Sequence, residues 1–374
     1  MRFHYHAVSA LIFAGAALAF AAQQSPSTRG VSGVSQTASS EAQQVLPAAQ
    51  TPLTAPSLMI DRDPVRSPDG EPPAPPAVLK LGEGYVLHTE VEEVALNCTV
   101  LEGKEPVADL NKEDFEVLED GVPQTLISFL HTDLPVSIAL VVDNSGSMST
   151  KRRSVNKSTL DLIQASNPQD EAFVVNFSDE SYIDQDFTSD VNKLRQGLSH
   201  IEARGGTALY DAVAASADHL ASDAKHSKQV IVLITDGDDN ASTISQNQAI
   251  RRVQQLSGPV IYSIGLLFGD EDMSHSEVKE ARKALEMLST ETGGMAFFPK
   301  NIEEVDQIAA EVARDIRNQY VLGYHSTKPT SEPGFRRVEV VAKARHHGRL
   351  TVRTRTGYFP TAGLVRQKEF PERH

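Results

Sequence analysis

A chain of 374 residues with 40% hydrophobic side chains, a formal net charge of −15 and no tryptophan can build one α/β core plus a smaller unit. The acidic balance carries no basic stripe, which sets nucleic acid aside as a partner. The single cysteine, Cys98, excludes an internal disulfide framework.

Residues 1–22 read as a signal peptide, because Arg2 precedes an apolar stretch from Ala7 to Ala22 that contains the small-residue pattern Ala19, Phe20, Ala21. The stretch is shorter than the roughly 20 residues needed to span a bilayer, so a retained anchor is the less favoured alternative and no membrane span is expected after cleavage. No cysteine follows it to take a lipid, and a secreted or periplasmic location is the expectation. A bacterial protein that dispenses with disulfides suits that compartment better than an animal surface receptor does. Residues 23–82 are rich in Ala, Gln, Ser, Pro and Thr and end near the run Pro72, Pro73, Ala74, Pro75, Pro76. Such a segment cannot bury a core, so it is expected to be a disordered spacer, stiffened toward polyproline II at its end.

Residues 83–133 have the pattern of a β unit. Val94, Leu96, Cys98 and Val100 recur with a period of two, which puts the lone thiol on a buried face and makes it inert. Phe115, Val117 and Leu118 lead into Glu119, Asp120, Gly121, a hairpin signal before an extended segment at 124–130.

From 134 to 319 strands and helices alternate. Apolar runs at 136–142, 172–177, 229–235 and 260–267 read as strands, with an edge strand near 182–187 and a short one at 295–298. Helices are expected near 152–164, 191–201, 209–222, 245–256, 276–288 and 302–317. That alternation predicts a doubly wound, mostly parallel sheet of Rossmann type, covered on both faces. In such sheets ligands bind beyond the carboxyl ends of the strands. Asp143, Ser145 and Ser147 follow the first of these strands, Asp236 follows a later one, and Thr207 sits on the loop Arg204, Gly205, Gly206 between them. All five donors are oxygen, which suits Mg²⁺, with Mn²⁺ or Ca²⁺ as alternatives, and argues against zinc or copper. Mostly neutral hydroxyl donors leave a bound cation under-neutralised and able to attract an external anion. A single DxSxS also reads simply as a helix start, since Asp and Ser are favoured caps.

The ordered set of DxSxS, a Thr on a glycine-led loop and Thr-Asp-Gly after a later strand resembles the von Willebrand factor A domain and its metal-ion-dependent adhesion site. The resemblance implies that Ser145, Ser147 and Thr207 touch the metal, that Asp143 and Asp236 act through water, and that a partner's Asp or Glu fills the open position. One departure concerns the integrin β version, where an adjacent acid pair holds a second cation. Here Lys151, Arg152 and Arg153 follow, so no second metal is expected; the cations either steer an anionic partner or form a solvated basic surface. The acids Asp238, Asp239, Asp270, Glu271 and Asp272 either concentrate cations near the site or are ordinary solvated loop residues.

Residues 320–360 return to β pattern. Residues 320–324 read as a strand, and Val338, Val340 and Ala342 read as one arm of a hairpin that turns at His346, His347, Gly348 and returns through Leu350, Val352 and Thr354. An isolated hairpin is marginal in water, so this segment is expected to join the 83–133 unit and make the α/β domain an insertion in a β module. Residues 114–124 (DFEVLEDGVPQ) with Arg355, Thr356, Gly357, Tyr358 resemble the bacterial VWFA-related family over about 85–360. Residues 361–374 are a tail. The His346–His347 pair reads as a solvated turn.

No GxSxG, HExxH, CxxC or phosphate-loop motif is present, which argues against an enzyme. The expectation is an extracytoplasmic module that binds a protein partner through a metal-bridged carboxylate. A structural envelope scaffold with a fold-stabilising metal, or less favourably a metal-dependent hydrolase, are the alternatives.

Overall fold

Strands that are apolar on both faces dictate the central layer. The computed structural model describes residues 93–165, 167–200, 203–237, 239–256, 258–268 and 274–360. The expected signal segment, the spacer, the tail 361–374 and the acids Asp238, Asp270, Glu271 and Asp272 lie outside the described residues. Five strands come first: β1 (Glu93–Glu102), β2 (Glu105–Pro106), β3 (Phe115–Glu119), β4 (Val122–Gln124) and β5 (Leu126–Leu130). The α/β region then runs β6 (Val136–Asp143), α1 (Arg152–Gln164), β7 (Glu171–Phe177), β8 (Ser181–Thr188), α2 (Val191–Leu198), α3 (Leu209–Asp223) and β9 (Lys228–Thr235). It continues with α4 (Gln246–Gln255), β10 (Val260–Gly265), α5 (His275–Thr292), β11 (Ala296–Phe297) and α6 (Glu304–Arg317). Four strands close the described chain: β12 (Tyr320–His325), β13 (Arg336–Ala342), β14 (Leu350–Arg353) and β15 (Gly357–Tyr358).

The central sheet has the order β11-β10-β9-β6-β7-β8, parallel except for the antiparallel edge strand β8. Every residue of β6 and β7 is buried, as a strand covered on both faces requires. Alternate residues divide between two cores. Val136, Ile138, Leu140 and Val142 meet Val155, Leu162, Leu194 and Val312 from α1, α2 and α6. Ala139 and Val141 meet Leu209, Val213, Ile250 and Leu285 from α3, α4 and α5 on the opposite face. The doubly wound α/β fold read from the apolar runs is the fold observed.

The flanking strands form two further sheets around a third core of Leu96, Cys98, Phe115, Val117, Tyr320, Leu322 and Val340. One has the order β14-β1-β12-β5 with β2 also on β1; the other is β15-β13-β3-β4. The β3–β4 hairpin turns through Asp120 and Gly121, at φ 48° and 79°, the left-handed pair that a two-residue hairpin loop needs. β12 lies between β1 and β5, antiparallel to both.

The expected hairpin across His346–Gly348 is not formed, and this corrects the sequence reading. β13 pairs with β3 and β15, whereas β14 pairs with β1. Each arm has the alternation of a half-buried strand, and alternation says nothing about which edge accepts it. Cys98 is fully buried, and burial pushes its thiol up to about 12. His347 is not a solvated turn residue: its ring spans Glu102 and Asp109, with Nδ1 and Nε2 each 2.9 Å from a carboxylate oxygen.

Candidate metal centre

β6 ends at Asp143, and the chain leaves the sheet in a tight turn held by its own side chains. The Ser145 N–H donates to Asp143 Oδ1 at 2.8 Å, and the Thr235 hydroxyl at the end of β9 donates to Oδ2 at 2.5 Å. Asp143 is therefore fixed between adjacent parallel strands with no exposed surface. Burial, with a smaller push from Asp236, raises its carboxyl to about 6 against the pull of those two hydrogen bonds. A buried carboxylate held in this way stabilises nearby positive charge.

Met148 anchors the following 3₁₀ turn by burying its side chain completely in the core beneath α1. Asn144 ties the same turn to its neighbours: its N–H donates to Phe177 O at 2.6 Å, and its carbonyl accepts from Arg204 N–H at 3.1 Å. Ser145 is buried while Ser147 is exposed, so the donor set opens to solvent on the Ser147 side.

Thr207 reaches the site through the glycine-led loop. Gly205 lies at φ 82°, and a Cβ there would stand 2.1 Å from Asp179 Oδ2. Asp179 Oδ1 accepts the Gly206 N–H at 2.7 Å, and Asn240 Oδ1 accepts the Thr207 N–H at 2.8 Å. Side chains at 205 and 206 would break this approach, which explains the Gly-Gly pair. A Cβ on Gly237 would lie 3.5 Å from Thr207 Oγ1, so the Thr hydroxyl borders the residue directly after Asp236.

The five predicted positions thus converge on one edge of the sheet. Ser145 Oγ and Ser147 Oγ are 3.2 Å apart, and Ser147 Oγ donates to Asp236 Oδ1 at 2.8 Å. An octahedral shell with metal–oxygen bonds of 2.0–2.1 Å has neighbouring oxygens about 2.9 Å apart. The Ser145–Ser147 separation of 3.2 Å is close to that edge, Asp236 lies directly behind Ser147, and every donor is oxygen, so the residues present fit a hard divalent cation. Among the described residues no group of three or more His, Cys, Asp or Glu forms a rival cluster.

Several contributors were not foreseen. Thr235, Asn144, Asp179 and Asn240 orient the donors, and only Thr235 had a signal, its place directly before Asp236. Asp239 accepts the Leu209 N–H at 2.9 Å at the start of α3, so it caps a helix rather than lying free in a loop. The basic triplet also behaves differently from either expectation. Arg152 is completely buried and donates from Nη2 to Asn176 Oδ1 at 2.6 Å, with Nε and Nη1 lacking a hydrogen-bond partner. Lys151 pairs with Asp236, Nζ to Oδ2 2.7 Å, and Arg153 alone is exposed.

Residues 138–238 match the family model of the von Willebrand factor type A domain. The chain carries a von Willebrand factor type A domain. Human inter-alpha-trypsin inhibitor heavy chain H4 is 26% identical over 178 residues, 44% of this chain and 18% of that protein. The chain therefore spans less than a fifth of this curated relative. Solved structures with similar folds include the vWF domain of the type V pili tip protein Mfa5 from Porphyromonas gingivalis. That match has 14% identity, covers 49% of this chain and 95% of that one, and has a TM-score of 0.40. A von Willebrand factor type A protein from Catenulispora acidiphila matches at 14% identity, covering 72% of this chain and 74% of that one, TM-score 0.41. Proximal thread matrix protein 1 from the mussel byssus, with a zinc-occupied MIDAS motif, matches at 18% identity over 54% of this chain and 50% of that one, TM-score 0.41. All five site positions, Asp143 at the end of β6, Ser145 and Ser147 before α1, Thr207 before α3 and Asp236 after β9, fall within the matched span.

Proposed function

We propose that the A domain is an extracytoplasmic binding module that captures a carboxylate of a protein partner through a divalent cation, with Mg²⁺ preferred. The observation that carries this reading is the all-oxygen cluster Ser145, Ser147 and Asp236, with separations of 3.2 and 2.8 Å, open to solvent at Ser147. Ser145, Ser147 and Thr207 would hold the ion, with Asp143 and Asp236 behind them. When bound, the ion supplies an open coordination position for an external anion. Asp143 orients the turn through its bond to the Ser145 N–H, and Thr235 holds Asp143 in turn.

The test is capture of partners from the native envelope fraction, with and without chelator. Capture is expected to vanish in chelator, return with Mg²⁺ or Mn²⁺, and fail with Ser145→Ala. A retained partner indifferent to chelator and to Ser145→Ala would overturn the metal bridge and favour a scaffold role. A Zn²⁺ arm reports on metal preference.

A further inference from the structure

We infer that Lys151 is a resident counter-cation of the metal centre, whose ammonium must leave Asp236 before a divalent ion can bind there. The inference rests on the metal-site reading above. Both oxygens of Asp236 are engaged: Oδ1 accepts from Ser147 at 2.8 Å and Oδ2 from Lys151 Nζ at 2.7 Å. The Lys151 side chain is 11% exposed and that of Asp236 not at all, so the pair is shielded from water. The ammonium has a formed seat. Nζ lies 3.4 Å from Leu266 O and 5.6 Å from the centre of the Phe268 ring. The segment that supplies this seat is tied to the site's own strand, because the Leu266 N–H donates to Thr235 O at 2.8 Å. A carboxylate, a carbonyl and an aromatic face together suit an ammonium.

Two cations on one carboxylate repel, so each weakens the other's binding by the same factor. Lys151 thus sets the divalent concentration at which the site fills. It also gives the site a defined charge at low metal, when Asp143 and Asp236 would otherwise stand as two neighbouring buried acids. The competing explanation is a purely structural ion pair that pins the start of α1.

Mg²⁺ titration calorimetry and thermal melting of the full chain, as wild type, Lys151→Met and Lys151→Gln, separate these. The inference expects both variants to bind Mg²⁺ about tenfold or more tightly than wild type. It also expects the metal-free variants to melt lower and to gain more from saturating Mg²⁺ than wild type does. Lys151→Gln keeps a hydrogen-bond donor toward Asp236 without the charge, and so covers the case in which the Met variant fails to fold. Ser145→Ala in the Lys151→Gln background is expected to abolish the gain. Equal Mg²⁺ affinity in wild type and folded variants would overturn the counter-cation role and leave the metal site standing. Absence of binding in all three folded proteins would overturn both.

Discussion

Asp143 combines two demands that conflict. In the proposed metal site it must be charged to stabilise a cation, yet it is completely buried, with two hydrogen-bond donors aimed at it. An edge position in the sheet suggests that this side chain can be changed freely, but its burial says otherwise. Asp143→Asn keeps one acceptor oxygen and loses the other, leaving either the Ser145 N–H or the Thr235 hydroxyl facing an amide. An unmade buried hydrogen bond costs about 1–3 kcal/mol. The variant is expected to lose Mg²⁺ heat in calorimetry while remaining folded, with a urea midpoint lowered by an amount of that order. Wild-type heat in a folded Asp143→Asn protein would remove Asp143 from the site.

At the level of elements, the turn after β13 is held by charge rather than by pairing. His347 joins Glu102 at the end of β1 to Asp109, and the Gly348 N–H donates to Glu102 Oε1 at 2.7 Å. The hydrogen bond that His347 donates to Glu102 raises the imidazole above its ordinary value and holds the Glu102 carboxyl below its own. A raised imidazole contributes stability below its unfolded value and loses it as pH rises through the folded one. A lowered carboxyl contributes above its unfolded value and loses it as pH falls. Both contributions are present between about pH 4.3 and 6.5, the unperturbed Glu and His values. His347→Gln is therefore expected to lower the melting temperature most in that window and least in alkaline buffer. A pH-independent difference between the two melting curves would rule out the charge clamp.

For the whole molecule, the flanking strands make one β module from segments on either side of the A domain. β1 and β5 both pair with β12, and β3 pairs with β13, so the upstream strands lose their neighbours if the downstream ones are removed. Tyr320 sits at the centre of that junction: it is fully buried, its ring lies against Phe115 and Phe129, and its hydroxyl donates to Val107 O at 3.0 Å. A chain ending at residue 319 is expected to expose 93–131 to limited proteolysis while the A domain keeps its cut-resistant core. Equal protection of 93–131 in the truncated and full chains would mean that the upstream strands fold without β12 and β13. Asp315 couples the module to the α/β layers, accepting from Tyr262 on β10 and Arg353 on β14, each at 2.5 Å.

What the amino-acid sequence by itself determined was whatever local pattern can carry. Runs such as 136–142 and 229–235, apolar without alternation, mark strands covered on both faces, and the helices between them make the sheet parallel. That the five oxygen-bearing side chains gather at one edge was legible because each follows a strand or opens a helix, and strand ends in such a sheet meet there. The tertiary structure decided everything that depends on a partner far along the chain. β13 and β14 alternate as a hairpin would, yet they join different sheets because β3 and β1 offer the open edges. Lys151, Arg152 and Arg153 are indistinguishable as neighbouring cations in the sequence. Lys151 meets Asp236, 85 positions away, Arg152 meets Asn176, 24 away, and Arg153 stays in water. Which polar groups reach each cation, a carboxylate for Lys151 and an amide oxygen for Arg152, is a property of the packed fold.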